Sequence, residues 1–369
     1  MGNCIDYLIQ NGKYGLFEKP FNDVDSLILC QLSYLKFEGI VPELSKRRKS
    51  MKFMDVFTHP LREKLFIDQR FEIPNRRLFE AAAFSKRFQT MKINYIDNQI
   101  DLDKQIQFAA MTFFLEDGTV YVAFRGTDET IIGWKEDFNM AFKTPIPSQL
   151  LAVEYLSKVA RRFKGNFIVG GHSKGGNLAV YASMKCQDSV RCRILYIYTN
   201  DGPGFMKEVF STKEFESIQP RIIKIVPQSS LIGMLLQHQE DYQVIESKAK
   251  GGVGQHDPYT WEVKNDEFVY KNDLNQGRKL FNERLNGWVE ELNEEERSTF
   301  VETLYKIISV TEAETLMDLT QEWKDNSLKM VNAIKEVDAD SRKMLRKIIG
   351  ELFHITKGKK TVTIEKKKG

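Results

Sequence analysis

Thiols and histidines are scarce in this 369-residue chain, and several kinds of segment are missing altogether. The four cysteines, Cys4, Cys30, Cys186 and Cys192, match neither a zinc-site spacing nor a Cys-x-x-Cys redox pair. Few cysteines and no basic-then-apolar leader point to a reducing cytoplasm with free thiols. Met1-Gly2-Asn3-Cys4 starts like an N-myristoylation site, but Asp6 stands where that motif wants Ser or Thr, which argues against lipidation. No run of about 18 apolar residues occurs, so no transmembrane helix is expected. A strong charge of one sign is missing too. The formal net charge is +3, with 42% hydrophobic and 28% charged residues, which is ordinary for a soluble globular protein. That charge is unevenly spread: Ser341 to Gly369 holds ten Lys/Arg and two Glu, so this end carries +8 and the remainder −5. No aromatic residue interrupts Lys357 to Lys368, which argues against nucleic-acid binding. The tail reads as a solvated, disordered end with, at most, a weak contact to an anionic membrane surface.

What is present is an alternation of short apolar strands and helices. Asn22-Asp23 caps a helix whose Val24, Leu27, Ile28, Leu32 and Leu35 recur at helical spacing, and Glu38 to Pro42 breaks it. Residues 43–89 are mixed helix, rich in basic residues and in phenylalanine (Phe53, Phe57, Phe66, Phe71, Phe79, Phe84, Phe88). They read either as an ordinary helical layer or as a cap over a pocket for an apolar substrate. Met91 to Ile96 is a strand ending at an Asp97-Asn98 turn, and Glu116-Asp117-Gly118 joins the strands Gln105–Leu115 and Thr119–Phe124 as a hairpin. A helix runs from Pro147 to about Arg162. Further strands fall at 167–170, 193–199, 221–226 and 242–246. This order predicts an α/β fold, a mostly parallel sheet with helices on both faces. After Asn272 the pattern turns helical. The expected division is a sheet domain over 1–280, a helical extension over 281–355 and a Lys-rich tail over 356–369.

One stretch carries chemistry: Phe167-Ile168-Val169-Gly170-Gly171-His172-Ser173-Lys174-Gly175-Gly176-Asn177. A strand, a Gly-x-Ser-x-Gly turn and a helix start form a nucleophile elbow, which exposes a serine hydroxyl at the end of a strand. The glycines are needed because side chains there would collide with the neighbouring strand and helix. A serine hydroxyl needs a base, and the base needs an orienting acid. The histidines are His59, His172, His238, His256 and His354. His172 lies inside the elbow and cannot easily turn back onto Ser173. His59 precedes a proline far upstream, His238 sits in a polar stretch, and His354 adjoins the tail. His256 follows the last strand, where the order Ser, acid, His places a base. For the acid, Asp201 ends the strand after the elbow helix, in Asn200-Asp201-Gly202-Pro203-Gly204; Asp257 and Asp241 are alternatives. An oxyanion hole needs two backbone donors. The Lys174 N–H supplies one, and the Thr127 N–H, after Phe124-Arg125-Gly126, fits the other.

Val122-Ala123-Phe124-Arg125-Gly126-Thr127, then Trp134 and Asp137, then Gly171-His172-Ser173-Lys174-Gly175-Gly176, together resemble the class 3 (fungal-type) lipases among the α/β-hydrolases. Phe21 to Asp25, Gly133 to Phe138, Asn200 to Phe205 and Gln255-His256-Asp257 resemble more closely a bacterial Mbeg-like branch of that superfamily. The resemblance implies Ser173 as nucleophile, His256 as base, and Thr127 and Lys174 as oxyanion donors. It departs at the acid. Class 3 lipases carry it after the strand following next from the elbow, where this chain reads Val226-Pro227-Gln228-Ser229-Ser230-Leu231 without a carboxylate. The expected activity is hydrolysis of an ester of an apolar acyl group, from a small molecule or a lipid, with no metal or cofactor required. The alternatives are a degenerate hydrolase serving as a binding or scaffold protein, and acyl transfer or thioester cleavage by the same triad.

Overall fold

The computed structural model describes the chain apart from residues 47–48, 68, 70, 102, 104–105, 128–135, 137–138, 141–142, 237–239, 252–253, 311–322, 336, 338, 340, 344 and 347–369. Trp134 and Asp137 of the lipase-like motif, His238, His354, parts of the last expected helices and the Lys-rich tail lie outside the described residues.

The architecture is a sheet of nine strands in the order β1-β2-β3-β4-β5-β6-β7-β8-β11. The strands are β1 (Met51–Lys52), β2 (Lys92–Asp101), β3 (Ile106–Phe114), β4 (Val120–Phe124), β5 (Phe167–His172), β6 (Ile194–Asn200), β7 (Ile222–Pro227), β8 (Tyr242–Ile245) and β11 (Tyr270–Lys271). β9 (Val263–Lys264) and β10 (Glu267–Phe268) form a separate small ribbon. β4 through β8 pair in parallel, whereas β1–β4 and β11 run antiparallel. The hairpin at Gly118 (φ 86°) closes β3 onto β4 as the turn residues predict. β2 departs from expectation. It does not turn at Asp97-Asn98 but continues to Asp101, and a register shift between Asn94 and Asp97, with Tyr95 at φ 58°, absorbs the irregularity as a bulge.

Helices α1 (Cys4–Asn11), α2 (Asp23–Leu32) and α3 (Glu72–Phe84) cover one face of the sheet, and α4 (Pro147–Arg162) and α5 (Lys174–Lys185) the other. β4 shows why its sequence is apolar throughout. Tyr121 and Ala123 enter the first core, Val120, Val122 and Phe124 the second, and all five are buried. α2 starts at Asn22, whose side chain accepts from the Asp25 N–H while Asp25 returns a bond to the Asn22 N–H. Asp25 also pairs with Arg87, both side chains fully buried. Removing one partner of such a pair costs about 3–5 kcal/mol. In the segment 43–89, Phe53, Phe66, Phe79 and Phe88 belong to the first core, while Phe84 is exposed. After the sheet come α6 (Gln276–Glu291), α7 (Glu294–Ser309) and α8 (Trp323–Ile334). Leu304, Ile307, Met330, Ile334 and Leu345 form a small core of their own. Among the described residues no helix is long and apolar enough to cross a membrane.

Candidate active site

β5 runs straight into Ser173, and α5 begins one residue later. Ser173 holds φ 58° and ψ −135°, a conformation that costs a non-glycine residue about 1–3 kcal/mol and persists only where its surroundings enforce it. Its N–H donates to the Asn200 carbonyl at the end of β6 (3.0 Å). The elbow glycines allow contacts that no side chain could share. A Cβ on Gly171 would stand 2.1 Å from the Gly175 backbone, and one on Gly175 would stand 2.1 Å from the Phe124 carbonyl oxygen. The elbow is therefore clamped between its own helix and the end of β4.

Asp201 follows β6, so it leaves the sheet beside the elbow. It is fully buried, at φ 50°. Its Oδ2 accepts from His256 Nδ1 at 2.6 Å. A carboxylate accepts only, so the neutral imidazole carries its hydrogen on Nδ1 and its lone pair on Nε2, the tautomer a general base requires. Asp201 Oδ1 is held separately, by the Ser230 hydroxyl (2.5 Å) and the Gly233 N–H (3.1 Å). Thus the loop that lacks the carboxylate expected by resemblance contributes a hydroxyl to a carboxylate carried one strand earlier. Lys224 on β7 is buried nearby, its Nζ donating to Glu240 Oε1. Burial holds its ammonium below the usual lysine range, against the pull of Glu240, 3.1 Å away, and of Asp201. Of the alternative acids, Asp257 caps the short turn after His256 by accepting from the Tyr259 N–H (2.9 Å), and His256 Nδ1 is bonded to Asp201 and not to Asp241.

Gly126 brings the loop after β4 to Ser173. A Cβ there would stand 3.0 Å from Ser173 Cβ, 2.6 Å from the His172 carbonyl oxygen and 2.4 Å from the Tyr34 hydroxyl. Thr127 follows it and is half-buried. Lys174 opens α5, where first-turn N–H groups point out of the helix end. Its side chain turns inward instead: Nζ donates to Glu136 Oε2 and to the Gln107 carbonyl, each at 2.9 Å, and the ion pair is almost fully buried. Glu136 in turn accepts from the N–H groups of Gln107 and Ser148, both at 3.2 Å. This pair ties the start of the elbow helix to the starts of β3 and α4.

Sequence reasoning set aside His172 and passed over Tyr34 and Ser230. His172 lies over the His256 ring, with ring centroids 4.5 Å apart, and its Nε2 donates to the His256 carbonyl (3.0 Å). Because that carbonyl only accepts, the neutral His172 ring takes its other bond, at Nδ1, from the Tyr34 hydroxyl (3.2 Å). The Gly-x-Ser-x-Gly pattern leaves this position open, and nothing in the local sequence signals the pairing. Among the described residues no group of three or more His, Cys, Asp and Glu side chains is arranged to hold a metal ion.

Parallel strands β4–β8 with helices on both faces form an α/β-hydrolase-type fold, with a serine on the turn between β5 and α5 and an Asp–His pair at the neighbouring strand ends. The chain belongs to the Mbeg1-like family, whose model matches residues 82–306. Among solved structures the chain is similar to the Rhizomucor miehei lipase propeptide complex, at 17% identity over 46% of this chain and 66% of that one, with a TM-score of 0.34. It is also similar to M37 lipase (12% identity, 58% and 70% coverage, TM-score 0.37) and to Lip2 lipase from Yarrowia lipolytica (12%, 52% and 76%, 0.32). The chain thus spans just under two thirds of the Rhizomucor miehei lipase chain. A comparison with curated proteins found no match.

Proposed function

We propose that the protein is a serine ester hydrolase acting by an acyl-enzyme route. The observation that carries this reading is the His256–Asp201 bond of 2.6 Å at the strand ends beside the strained Ser173 turn. In this reading Ser173 Oγ attacks the ester carbonyl carbon as His256 Nε2 takes its proton. The N–H groups of Lys174 and Thr127 hold the oxyanion, and Asp201 keeps His256 in the required tautomer. The C–O bond then breaks, the alcohol leaves with the proton from His256, and water repeats the sequence to release the acid. The chemistry needs no metal. The reading takes as substrate an ester of an apolar acyl group, from a small molecule or a lipid. The four free thiols, three of them buried, support a cytoplasmic setting.

The test is labelling with a fluorophosphonate probe, combined with hydrolysis of p-nitrophenyl esters of increasing chain length. The reading expects wild type to label and turn over, and Ser173→Ala to do neither. Unlabelled wild type, or equal labelling of Ser173→Ala, would sink it.

A further inference from the structure

The loop that holds Asp201 is itself held by a helix that the sequence places at the start of the C-terminal extension. We propose that Asn282 and Asn286 of α6 are positioning residues for the acid, so that this helix is a working part of the hydrolase site; the inference rests on the hydrolase reading above. Both donors to Asp201 Oδ1, Ser230 and Gly233, lie in residues 228–236. The loop presses close on the carboxylate: a Cβ on Gly233 would stand 2.2 Å from Asp201 Oδ1.

α6 and its cap grip this loop along its length. Asn275 donates its N–H to the Gln228 carbonyl (2.7 Å) and its side-chain amide to Ser229 Oγ (2.6 Å). Asn282, buried, donates to the Ser230 carbonyl (3.0 Å). Asn286 donates to the carbonyls of Met234 (2.8 Å) and Leu236 (3.0 Å) and accepts from the Leu236 N–H (3.0 Å). Asn282 and Asn286 stand four residues apart and so share a helix face. Leu285 packs beside them on Leu231, with Phe281, Leu235 and Val289 around it.

Apolar contact alone would bury the helix yet let the loop slide beneath it. Amides bonded to main-chain groups fix the loop's register, because a shift would leave buried polar groups unpaired. The need for such a hold is visible at Leu236, a non-glycine residue at φ 67° bracketed by the Asn286 bonds. The match to the Mbeg1-like family model also runs through α6, to residue 306. A shift of this helix is therefore transmitted to the Ser230 hydroxyl and the Gly233 N–H, and from them to Asp201 and His256.

The experiment uses the full chain carrying Asn282→Ala, Asn286→Ala or both. The control is Glu290→Gly, which weakens the exposed side of the same helix without touching the loop. Two readouts are taken: kcat and KM on a short-chain p-nitrophenyl ester, and the downfield proton NMR signal of the His256 Nδ1–H, assigned by its loss in Asp201→Ala. The expected result is a kcat loss of about tenfold for each single variant and about a hundredfold for the double, the scale of a small misplacement of a reacting group. KM should stay within about twofold and the signal should shift or broaden, whereas Glu290→Gly should move neither readout. Unchanged kcat and signal in the asparagine variants, or equal losses in Glu290→Gly, would overturn the proposal. If Asn282→Ala fails to fold, Asn286→Ala at its half-buried position carries the same two readouts. Wild type that no fluorophosphonate labels speaks against the hydrolase reading instead. The NMR signal is read without turnover and judges the hold of α6 on Asp201 by itself.

Discussion

On the Ser173 side of the site, the parts come from two neighbouring strands and the turns that leave them. β5 leads into Ser173, β4 leads into Gly126, and backbone contacts too close for any side chain lock the two together. The Asp201–His256 pair is assembled differently. Asp201 leaves β6, Ser230 and Gly233 follow β7, and His256 follows β8, and hydrogen bonds across 29, 32 and 55 residues of sequence join them. The first side is held chiefly by excluded volume and the second chiefly by a shared set of polar bonds, though Gly233 also packs closely on Asp201. Steric clamps fail abruptly when an atom is added, because interiors are close-packed and backbone cannot move aside. Polar sets lose function in steps, because each bond is one of several.

Four substitutions test that contrast. Ser173→Ala removes the attacking atom and should lower kcat by about 10⁴-fold or more, measured as residual ester turnover after active-site titration. Asp201→Asn keeps the shape but destroys the tautomer control of His256, and a loss of about 10⁴-fold in kcat with KM nearly unchanged is expected in steady-state kinetics. Gly126→Ala adds one carbon beside the Tyr34 hydroxyl and the His172 carbonyl. It should displace the oxyanion loop and cost about 10²–10³-fold in kcat. A Gly126→Ala enzyme with wild-type kcat would break the claim that this side is sterically clamped. Ser230→Ala removes one of two donors to Asp201 Oδ1 and should cost about 10- to 10²-fold, since a hydrogen bond to a charged group contributes about 1.5–3 kcal/mol. A loss in Ser230→Ala as large as that in Gly126→Ala would erase the distinction between abrupt and stepwise failure.

The same contrast separates what could be read along the chain from what could not. The elbow is a local event: strand, turn and helix follow one another within about a dozen residues, and each glycine is dictated by its neighbours. The hairpin at Gly118 and the cap at Asn22 are local in the same sense and fall where the sequence places them. The β2 bulge is not, because Asp97-Asn98 reads as a turn until β3 pairs alongside and continues the strand. β1, β9, β10 and β11 are two residues each, too short to carry a period. His172 looked idle because its partner lies 84 residues away.

By itself, the sequence determined the α/β class, the serine at the elbow and the glycines that make the turn feasible, since these depend on backbone sterics and on periodicities contained within each segment. Tertiary structure alone decided which carboxylate meets His256, that Ser230 occupies the place where a carboxylate was expected, and that α6 reaches back to hold the loop between them. Those choices depend on which strand ends the sheet order sets side by side, and no single segment contains that order.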